Sequence, residues 1–173
     1  FSQKEEWFFH ENDRIITFTY QLPFGGRRLY MRLLLTDTPL PFHFSEEAGN
    51  YLIDLSSQKI AHCVGCFGCW VKTPGKCVIR DDATKIYPLI AKSEEVLYVS
   101  RIKYGCYDTP MKTMLERAIP IQQAFIRIHH GETYHVQRAV KPKKATIIGY
   151  GNLSPEEKEV FTQLVHRNIY NMC

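Results

Sequence analysis

The chain has 173 residues, of which 45% are hydrophobic and 23% are charged. This length usually forms a single domain, and the composition excludes a disordered, collagenous or coiled-coil chain. Lys and Arg number 22 against 18 Asp and Glu, a net charge of +4, and so mild an excess does not indicate a nucleic-acid-binding protein.

Neither a membrane segment nor a secretory signal is expected. No run approaches the roughly 18 to 20 continuous apolar residues that cross a bilayer, and charges interrupt the first fourteen residues. We therefore expect a soluble, cytoplasmic protein without a membrane partner. Four of its six cysteines lie within fifteen positions, a crowding typical of metal or redox chemistry in a reducing compartment.

The N-terminal region predicts a β-hairpin. Residues 15–20 alternate and are rich in β-formers, residues 23–26 have turn chemistry, and residues 28–35 are a second β-capable run. An apolar strand of its own opens at Met31. We therefore interpret 1–30 as an N-terminal extension and 31–173 as the main domain.

From residue 31 onward, short apolar runs alternate with helical patterns, which predicts an α/β fold with a mostly parallel sheet. The predicted strands are 31–36, 51–55, 96–100 and 145–149. A second hairpin is predicted from 124–128 and 133–136 around a Gly-containing turn. Because edge hairpins invite pairing, we expect both hairpins to make contacts in a homodimer or higher oligomer.

Three helices are predicted from their start signals. The first begins near Asp81 and Asp82, whose carboxylates suit a helix N-terminus, and Pro88 should kink it. The second begins with Thr109 as its N-cap and ends before Pro120. The third begins with the capping-box pattern Ser154-Pro155-Glu156-Glu157, and its expected inner face is Val160, Phe161, Leu164, Val165 and Ile169.

The strongest chemical signal is the spacing of Cys63, Cys66, Cys69 and Cys77. The intervening glycines permit tight winding, so the thiols can converge as the four ligands of a [4Fe-4S] cluster. Zinc accepts the same ligands but usually takes them as two separated pairs. The cysteines could equally be small buried hydrophobes without a ligand, or form a disulfide. The spacing leaves these alternatives open.

The cysteine motif, the acidic pair after it and the segment 100–117 together resemble the NAD(P)H-dependent FMN reductase family, and within it the iron-sulfur flavoproteins and their clostridial-type relatives. The likeness covers about residues 31–173. It implies a flavodoxin-like three-layer sandwich with FMN at the carboxyl ends of the strands. It also implies hydride transfer from NAD(P)H to FMN and onward electron transfer to a small-molecule acceptor, with the cluster as a relay.

The resemblance assigns the flavin ring to the loop after the third parallel strand. The family pattern there is Ser/Thr-Pro-x-Tyr-x-Gly-Ser, whose backbone amides stabilise the charge of the reduced ring. The expected ring-binding residues are Ser100, Arg101, Ile102, Lys103, Tyr104, Gly105 and Cys106, with Gly149 and Tyr150 from the loop after the last strand.

The segment that would bind the FMN phosphate departs from the family pattern. Family members follow the first strand with a hydroxyl-rich loop and a long helix that cradle the phosphate, whereas here a short segment with two prolines, 37–49, precedes the next strand. We therefore expect the first crossover helix to be shortened or missing. Thr36 and Thr38 are the hydroxyls in place, and Asp37 would repel a phosphate.

A function of another class fits the same residues. A flavodoxin-like chain without a phosphate loop could be a cofactor-free binding or assembly module, with its cysteines structural or bound to zinc. Colour separates the two, because flavin and iron-sulfur centres absorb visible light, whereas a zinc domain is colourless and loses stability when a chelator is added.

Overall fold

The computed structural model describes residues 4–9, 15–21, 31–40, 48–129 and 131–172. Its strands are β1 (Lys4–Phe9), β2 (Ile15–Gln21), β3 (Arg32–Thr36), β4 (Asn50–Asp54), β5 (Glu95–Lys103), β6 (Cys106–Tyr107), β7 (Gln122–His129), β8 (Glu132–Gln137) and β9 (Lys144–Tyr150). Its helices are α1 (Gly68–Val71), α2 (Ala83–Lys92), α3 (Thr109–Glu116) and α4 (Pro155–Met172), with short 3-10 turns at Leu55–Ser57 and Ile119–Ile121. No helix in these ranges has both the length and the apolarity to cross a membrane.

The main sheet has the order β1-β2-β9-β5-β3-β4, and β6 is paired with β5. Strands β4, β3, β5 and β9 are mutually parallel, so along the chain they are the second, first, third and fourth parallel strands, which is the flavodoxin-like order. The α/β class, the mostly parallel sheet and the added hairpins are therefore confirmed. In the first crossover, the described residues 37–40 and 48–49 contain no helix, and 41–47 lie outside the described residues.

The N-terminal strands pair differently from our prediction. Strand β2 is antiparallel to β1 and to β9, while β3 pairs with β4 and β5 rather than with β2. The predicted turn at 23–26 lies outside the described residues. Strand β2 lies beside β9 and buries Ile16, Phe18 and Tyr20 in the core. This burial makes β2 more stable than a strand of an isolated two-stranded hairpin. The domain boundary at residue 31 stays a prediction, and the sheet is continuous across it.

The core lies between one face of the sheet and the helices. Along β5 the buried positions alternate, and the register places Val96, Tyr98 and Ser100 beside Ala145, Ile147 and Gly149 of β9. Packed with this face are buried residues of α2, α3 and α4, namely Ile86, Ile90, Met111, Met114, Phe161, Val165 and Ile169. The same register brings the carboxyl ends of β3, β5 and β9 together at one edge.

The three predicted helices form with small differences. Helix α2 contains Pro88 as expected. Helix α3 is capped by Asp108 rather than Thr109, because the Asp108 carboxylate accepts the Thr109 amide at 2.8 Å. Val160 was expected on the inner face of α4, but it is 53% exposed. The predicted second hairpin is present as the separate two-stranded sheet β7-β8.

The capping box of α4 supports a stability prediction. The Glu157 amide donates to Ser154 Oγ at 3.2 Å, and the Ser154 amide donates to Glu157 Oε2 at 3.0 Å. We expect Ser154→Ala to lower the free energy of unfolding by about 1 kcal/mol, measured by urea denaturation. Thr162→Ala in the same helix is the control, because within the described part of the chain the Thr162 hydroxyl donates back to the Lys158 carbonyl. Equal losses in both variants would contradict the capping role.

Candidate functional site

The carboxyl ends of β3, β5 and β9 meet around the carboxylate of Asp37. Its Oδ2 accepts hydrogen bonds from Ser100 Oγ at 2.7 Å and from the Arg101 amide at 2.8 Å. Its Oδ1 accepts the Tyr150 hydroxyl at 2.9 Å. The Asp37 amide donates to the Val99 carbonyl at 3.1 Å. A single acidic side chain therefore joins three strand ends at the edge where the resemblance places a flavin.

The same carboxylate changes the acidity of its tyrosine partner. Burial, followed by the hydrogen bond to Asp37, raises the pKa of Tyr150 to about 12. Both causes favour the neutral phenol, because a buried phenolate beside a carboxylate lacks hydration and meets a like charge. Tyr150 is consequently a hydrogen-bond donor across the neutral pH range.

The two threonines expected near the phosphate are also engaged within the chain. Thr36 is 1% exposed, its hydroxyl donates to the Thr38 carbonyl at 2.6 Å, and it accepts the Thr38 amide at 3.2 Å. This is a local turn that uses the hydroxyl both as donor and as acceptor. Thr36 and Thr38 thus lie at the predicted edge, but their contacts stabilise the end of β3.

The segment expected to bind the flavin ring is a tight β-turn. Strand β5 continues to Lys103 and pairs back with β6 through Tyr104 and Gly105, whose φ angles are 54° and 68°. Two positive φ angles are typical of a type I′ hairpin turn. The Tyr104 amide donates to Glu157 Oε1 at 2.8 Å, and the Tyr104 side chain is 83% exposed with Lys103 Nζ 5.4 Å from its ring centre.

The glycines at this edge are explained by packing within the chain. A Cβ on Gly105 would lie 2.8 Å from Val160 Cγ1, and one on Gly149 would lie 2.8 Å from Ile102 Cγ1. Ile102 itself is buried in the core. The amides of residues 101 and 104 donate to the carboxylates of Asp37 and Glu157, so the chain itself uses two of the donors that a flavin ring would need. The assignment of residues 100–106 to flavin binding stays a prediction.

The four cysteines of the compact motif lie around one small pocket. Cys63, Cys66, Cys69 and Cys77 all line a mostly apolar cavity of about 70 Å³. Cys63 and Cys66 are exposed, Cys69 and Cys77 are half-buried, and all four are free thiols. Across the described ranges no three His, Cys, Asp or Glu side chains converge closely enough to hold a metal ion. The thiols therefore share a pocket without meeting at a point.

The loop that carries the four motif cysteines is tightly wound, and the closeness of its thiols affects the pKa of Cys69. Gly65 and Phe67 have positive φ angles, and a Cβ on Gly68 would lie 2.9 Å from Val78 Cγ1. Burial raises the pKa of Cys69, and the nearby charges of the other three motif cysteines add to the increase. The neighbouring thiolate charges that raise the pKa of Cys69 are also charges that a bound cation would offset.

Arg117 links the cysteine loop to the helices and was not predicted from the sequence. Its side chain is 1% exposed. Nη1 donates to Asp81 Oδ2 at 2.6 Å and to the Ala61 carbonyl at 2.7 Å. Nη2 donates to Asp81 Oδ1 at 2.8 Å and contacts Cys77 Sγ and the Ile79 carbonyl at 3.4 Å. The buried Nε has no hydrogen-bond partner among the described residues.

The acidic pair Asp81 and Asp82 makes contacts beyond the predicted ones at the start of α2. Asp81 accepts the Ala61 amide at 2.9 Å and forms the paired contact with Arg117, whereas Asp82 accepts the Lys59 amide at 3.0 Å. Asp82 is the N-cap residue of α2, and the Ala83 amide helps to lower the pKa of Asp81, so both carboxylates lie at the helix N-terminus as predicted and make these contacts in addition. The sequence contains no indication of the ion pair between Asp81 and Arg117, because a lone Arg after an apolar helix usually lies on the surface.

Comparison with known proteins gives one partial likeness. No protein-family model matches the chain, and no solved structure matches it significantly. A segment of 68 residues is 37% identical to an iron-sulfur flavoprotein of Archaeoglobus fulgidus. The similarity is to a flavoprotein. It covers 39% of this chain and 30% of that protein, so the chain matches less than a third of the relative's length.

Proposed function

We propose that this chain is a flavodoxin-like redox domain whose four motif cysteines hold a [4Fe-4S] cluster. The observation that carries the proposal is that Cys63, Cys66, Cys69 and Cys77 all line one pocket. The partial likeness to a protein named iron-sulfur flavoprotein supports it. A cluster bound there supplies one-electron transfer at a potential that its protein surroundings set.

The types of residue around the pocket suit such a group, and the thiols would converge further on binding it. The donor set is four thiols, as the cluster requires. Phe67, Val78 and Ile79 give the pocket an apolar wall, and the hydrophobic surroundings of a cluster influence its reduction potential. The loop already has the positive φ angles at Gly65 and Phe67 that tight winding requires.

Arg117 would hold the cysteine ligands of the cluster in position. Its guanidinium holds the loop through the carbonyls of Ala61 and Ile79 and contacts Cys77 Sγ. Hydrogen bonds to ligating sulfur raise the reduction potential of a cluster because they stabilise the added negative charge. Its charge is balanced by Asp81.

We further propose that residues 100–106 would hold FMN, which would supply hydride chemistry with NAD(P)H and electron transfer to a small-molecule acceptor, in a homodimer or larger assembly. Its support is the family resemblance of residues 100–117 and the name of the relative. The hydrogen bonds around Asp37 and Glu157 add nothing to this part. Flavin binding is therefore tested separately from iron binding.

One observation favours the alternative, a cofactor-free binding or assembly module. The amides of residues 101 and 104 donate to Asp37 and Glu157, so the chain itself occupies donors that a flavin would use. In this alternative the four thiols are structural or bind zinc, which takes the same ligands.

Anaerobic reconstitution with iron and sulfide tests the proposal. We expect about four irons per chain in the wild type, and less than half of that in Cys63→Ser, Cys66→Ser, Cys69→Ser and Cys77→Ser. Cys106→Ser is the matched control, because Cys106 is a half-buried free thiol outside the pocket, and it should keep the wild-type iron content. Bound flavin is quantified in the same samples after adding FMN.

The outcomes separate the candidates. If the wild type takes up no more iron than a variant lacking all four motif cysteines, the cluster assignment is wrong. Zinc uptake without iron uptake would favour the zinc module. A chain that takes up iron but no FMN would keep the cluster and remove the flavin part.

A further inference from the structure

A second, larger cavity lies between α3 and α4. Its floor is the helix-covered face of the sheet, formed by Tyr98 of β5 with Ala145 and Ile147 of β9. Leu115 of α3 and Leu164 of α4 stand on opposite sides of it. The floor residues are all buried, so the cavity reaches down to the sheet.

The size of the cavity limits what it can hold. Its volume is about 320 Å³, which lies at the lower end of the usual range of roughly 300 to 1,000 Å³ for small-molecule sites. A cavity of about 150 Å³ lined by apolar side chains accommodates benzene. About twice that volume suits two fused aromatic rings.

The charged and polar residues that line the cavity limit the chemical class of ligand that it can bind. Lys112 and Glu116 line it and form an exposed ion pair with each other, so their charges cancel. At another part of the wall, Gln122 Nε2 donates to the Asn171 carbonyl at 3.0 Å, and Asn171 Oδ1 accepts the His135 amide at 3.2 Å. The Gln122 Oε1 acceptor and the Asn171 amide donor remain chemically able to bind a hydroxyl or a carbonyl.

The cavity is separate from the edge around Asp37 but adjoins the cysteine pocket. Ile119 lines both the cavity and the cysteine pocket. Between them, the Trp70 ring of the cysteine loop contacts the His135 ring in a tilted arrangement with centroids 4.9 Å apart, and its Nε1 donates to the Gln122 carbonyl at 3.1 Å. The wall shared by the two sites is thus made of aromatic and polar side chains held in place by direct contacts.

We propose that this cavity binds a neutral, flat, two-ring aromatic compound that carries a hydroxyl or carbonyl oxygen, of the naphthol or naphthoquinone class. Apolar floor and walls favour the rings, the balanced charges favour a neutral molecule over an ion, and the amides of Gln122 and Asn171 bind its oxygen. This proposal does not depend on the cluster.

Calorimetric titration of the full chain with 2-naphthol tests it, with 2-naphthalenesulfonate as a charged probe of the same ring size. We expect saturable binding of 2-naphthol at one site and binding of the sulfonate weaker by about tenfold or more. In methyl NMR spectra, 2-naphthol should shift Ile119, Ile147 and Leu164, which line the cavity, and leave Ile53 unshifted.

Two tryptophan substitutions on α4 locate the site. Asn168 is exposed and lines the cavity, so Asn168→Trp should weaken 2-naphthol binding by about tenfold. Gln163 is exposed on the same helix and does not line it, so Gln163→Trp should bind as the wild type does. No saturable binding, equal binding by both variants, or shifts confined to other methyl groups would each overturn the proposal.

Discussion

Arg117→Met is expected to lower the free energy of unfolding by about 3–5 kcal/mol. The guanidinium is 1% exposed and forms two short contacts with the Asp81 carboxylate. Methionine would fill similar space, but it would leave Asp81, whose side chain is 13% exposed, without a counter-charge. The Ala61 carbonyl would also lose its donor. Urea denaturation at neutral pH measures the loss.

Lys112→Met is the matched control for this prediction. Lys112 pairs with Glu116 on α3, the helix that ends just before Arg117, but the two side chains are 52% and 43% exposed. Exposed pairs of this kind contribute about 0–1 kcal/mol. If the two variants lose similar stability, the buried pair does not hold the cysteine loop to the helices as we infer.

The same pair predicts a dependence on acid. Asp81 has a pKa below its ordinary value of 3.8: burial opposes this, but the hydrogen bonds and charge of Arg117 and the Ala61 amide outweigh burial. A carboxyl whose folded pKa is lowered stabilises the fold above 3.8 and loses that contribution as the pH falls through the folded value. Arg117→Met should therefore unfold with a weaker dependence on pH in acid than the wild type.

Asp37→Ala is expected to lower the free energy of unfolding by about 2–3 kcal/mol. The change removes the acceptor of Ser100, the Arg101 amide and the Tyr150 hydroxyl together. Ser100 is fully buried, so water does not readily replace the lost partner. Urea denaturation again measures the loss.

Asp54→Ala is the control for Asp37, because Asp54 ends the neighbouring parallel strand β4. Among the described residues its carboxylate makes local contacts, accepting the amide and hydroxyl of Ser56 at 2.9 and 2.6 Å. Loss of such a cap costs about 1 kcal/mol. A loss at Asp37 no larger than at Asp54 would show that the joined strand ends contribute little.

The Asp37 network also predicts behaviour in alkali. With the Tyr150 pKa raised from 10.0 to about 12, the protonated phenol stabilises the fold fully below 10, and this contribution is lost as the pH rises through about 12. In Asp37→Ala the pKa of Tyr150 should fall, but it should stay above 10.0 because burial, the larger cause, remains. Titration of tyrosinate absorbance, with Tyr150→Phe to assign the signal, measures the change.

The helices and parallel strands were predictable because their signals are local. The Ser154 and Glu157 capping box forms where the pattern predicted it, and short apolar runs predicted β5 and β9. The partner of β2 was not predictable in this way. A β-capable run predicts that a strand forms but not which strand it pairs with. The pairing depends on which strand at the edge of the sheet has unpaired backbone groups, and here that strand is β9.

The candidate site also has one part that the sequence predicted and another that depends on tertiary contacts. The spacing of Cys63, Cys66, Cys69 and Cys77 is a property of the sequence, and the structure brings all four to one pocket. The resemblance of residues 100–106 to a ring-binding loop is also a property of the sequence. Pairing of β5 with β6 and the carboxylates of Asp37 and Glu157 engage that segment instead.

The sequence by itself determined the α/β class, the order of the helices and the supply of four closely spaced thiols, because periodicity, capping and spacing act over a few residues. Only the tertiary structure decided that Asp37 closes the strand ends, that Arg117 is buried against Asp81 and Cys77, and that a cavity opens between α3 and α4. Each of these depends on groups far apart in the chain. Such groups meet only when the whole sheet and its helices have packed.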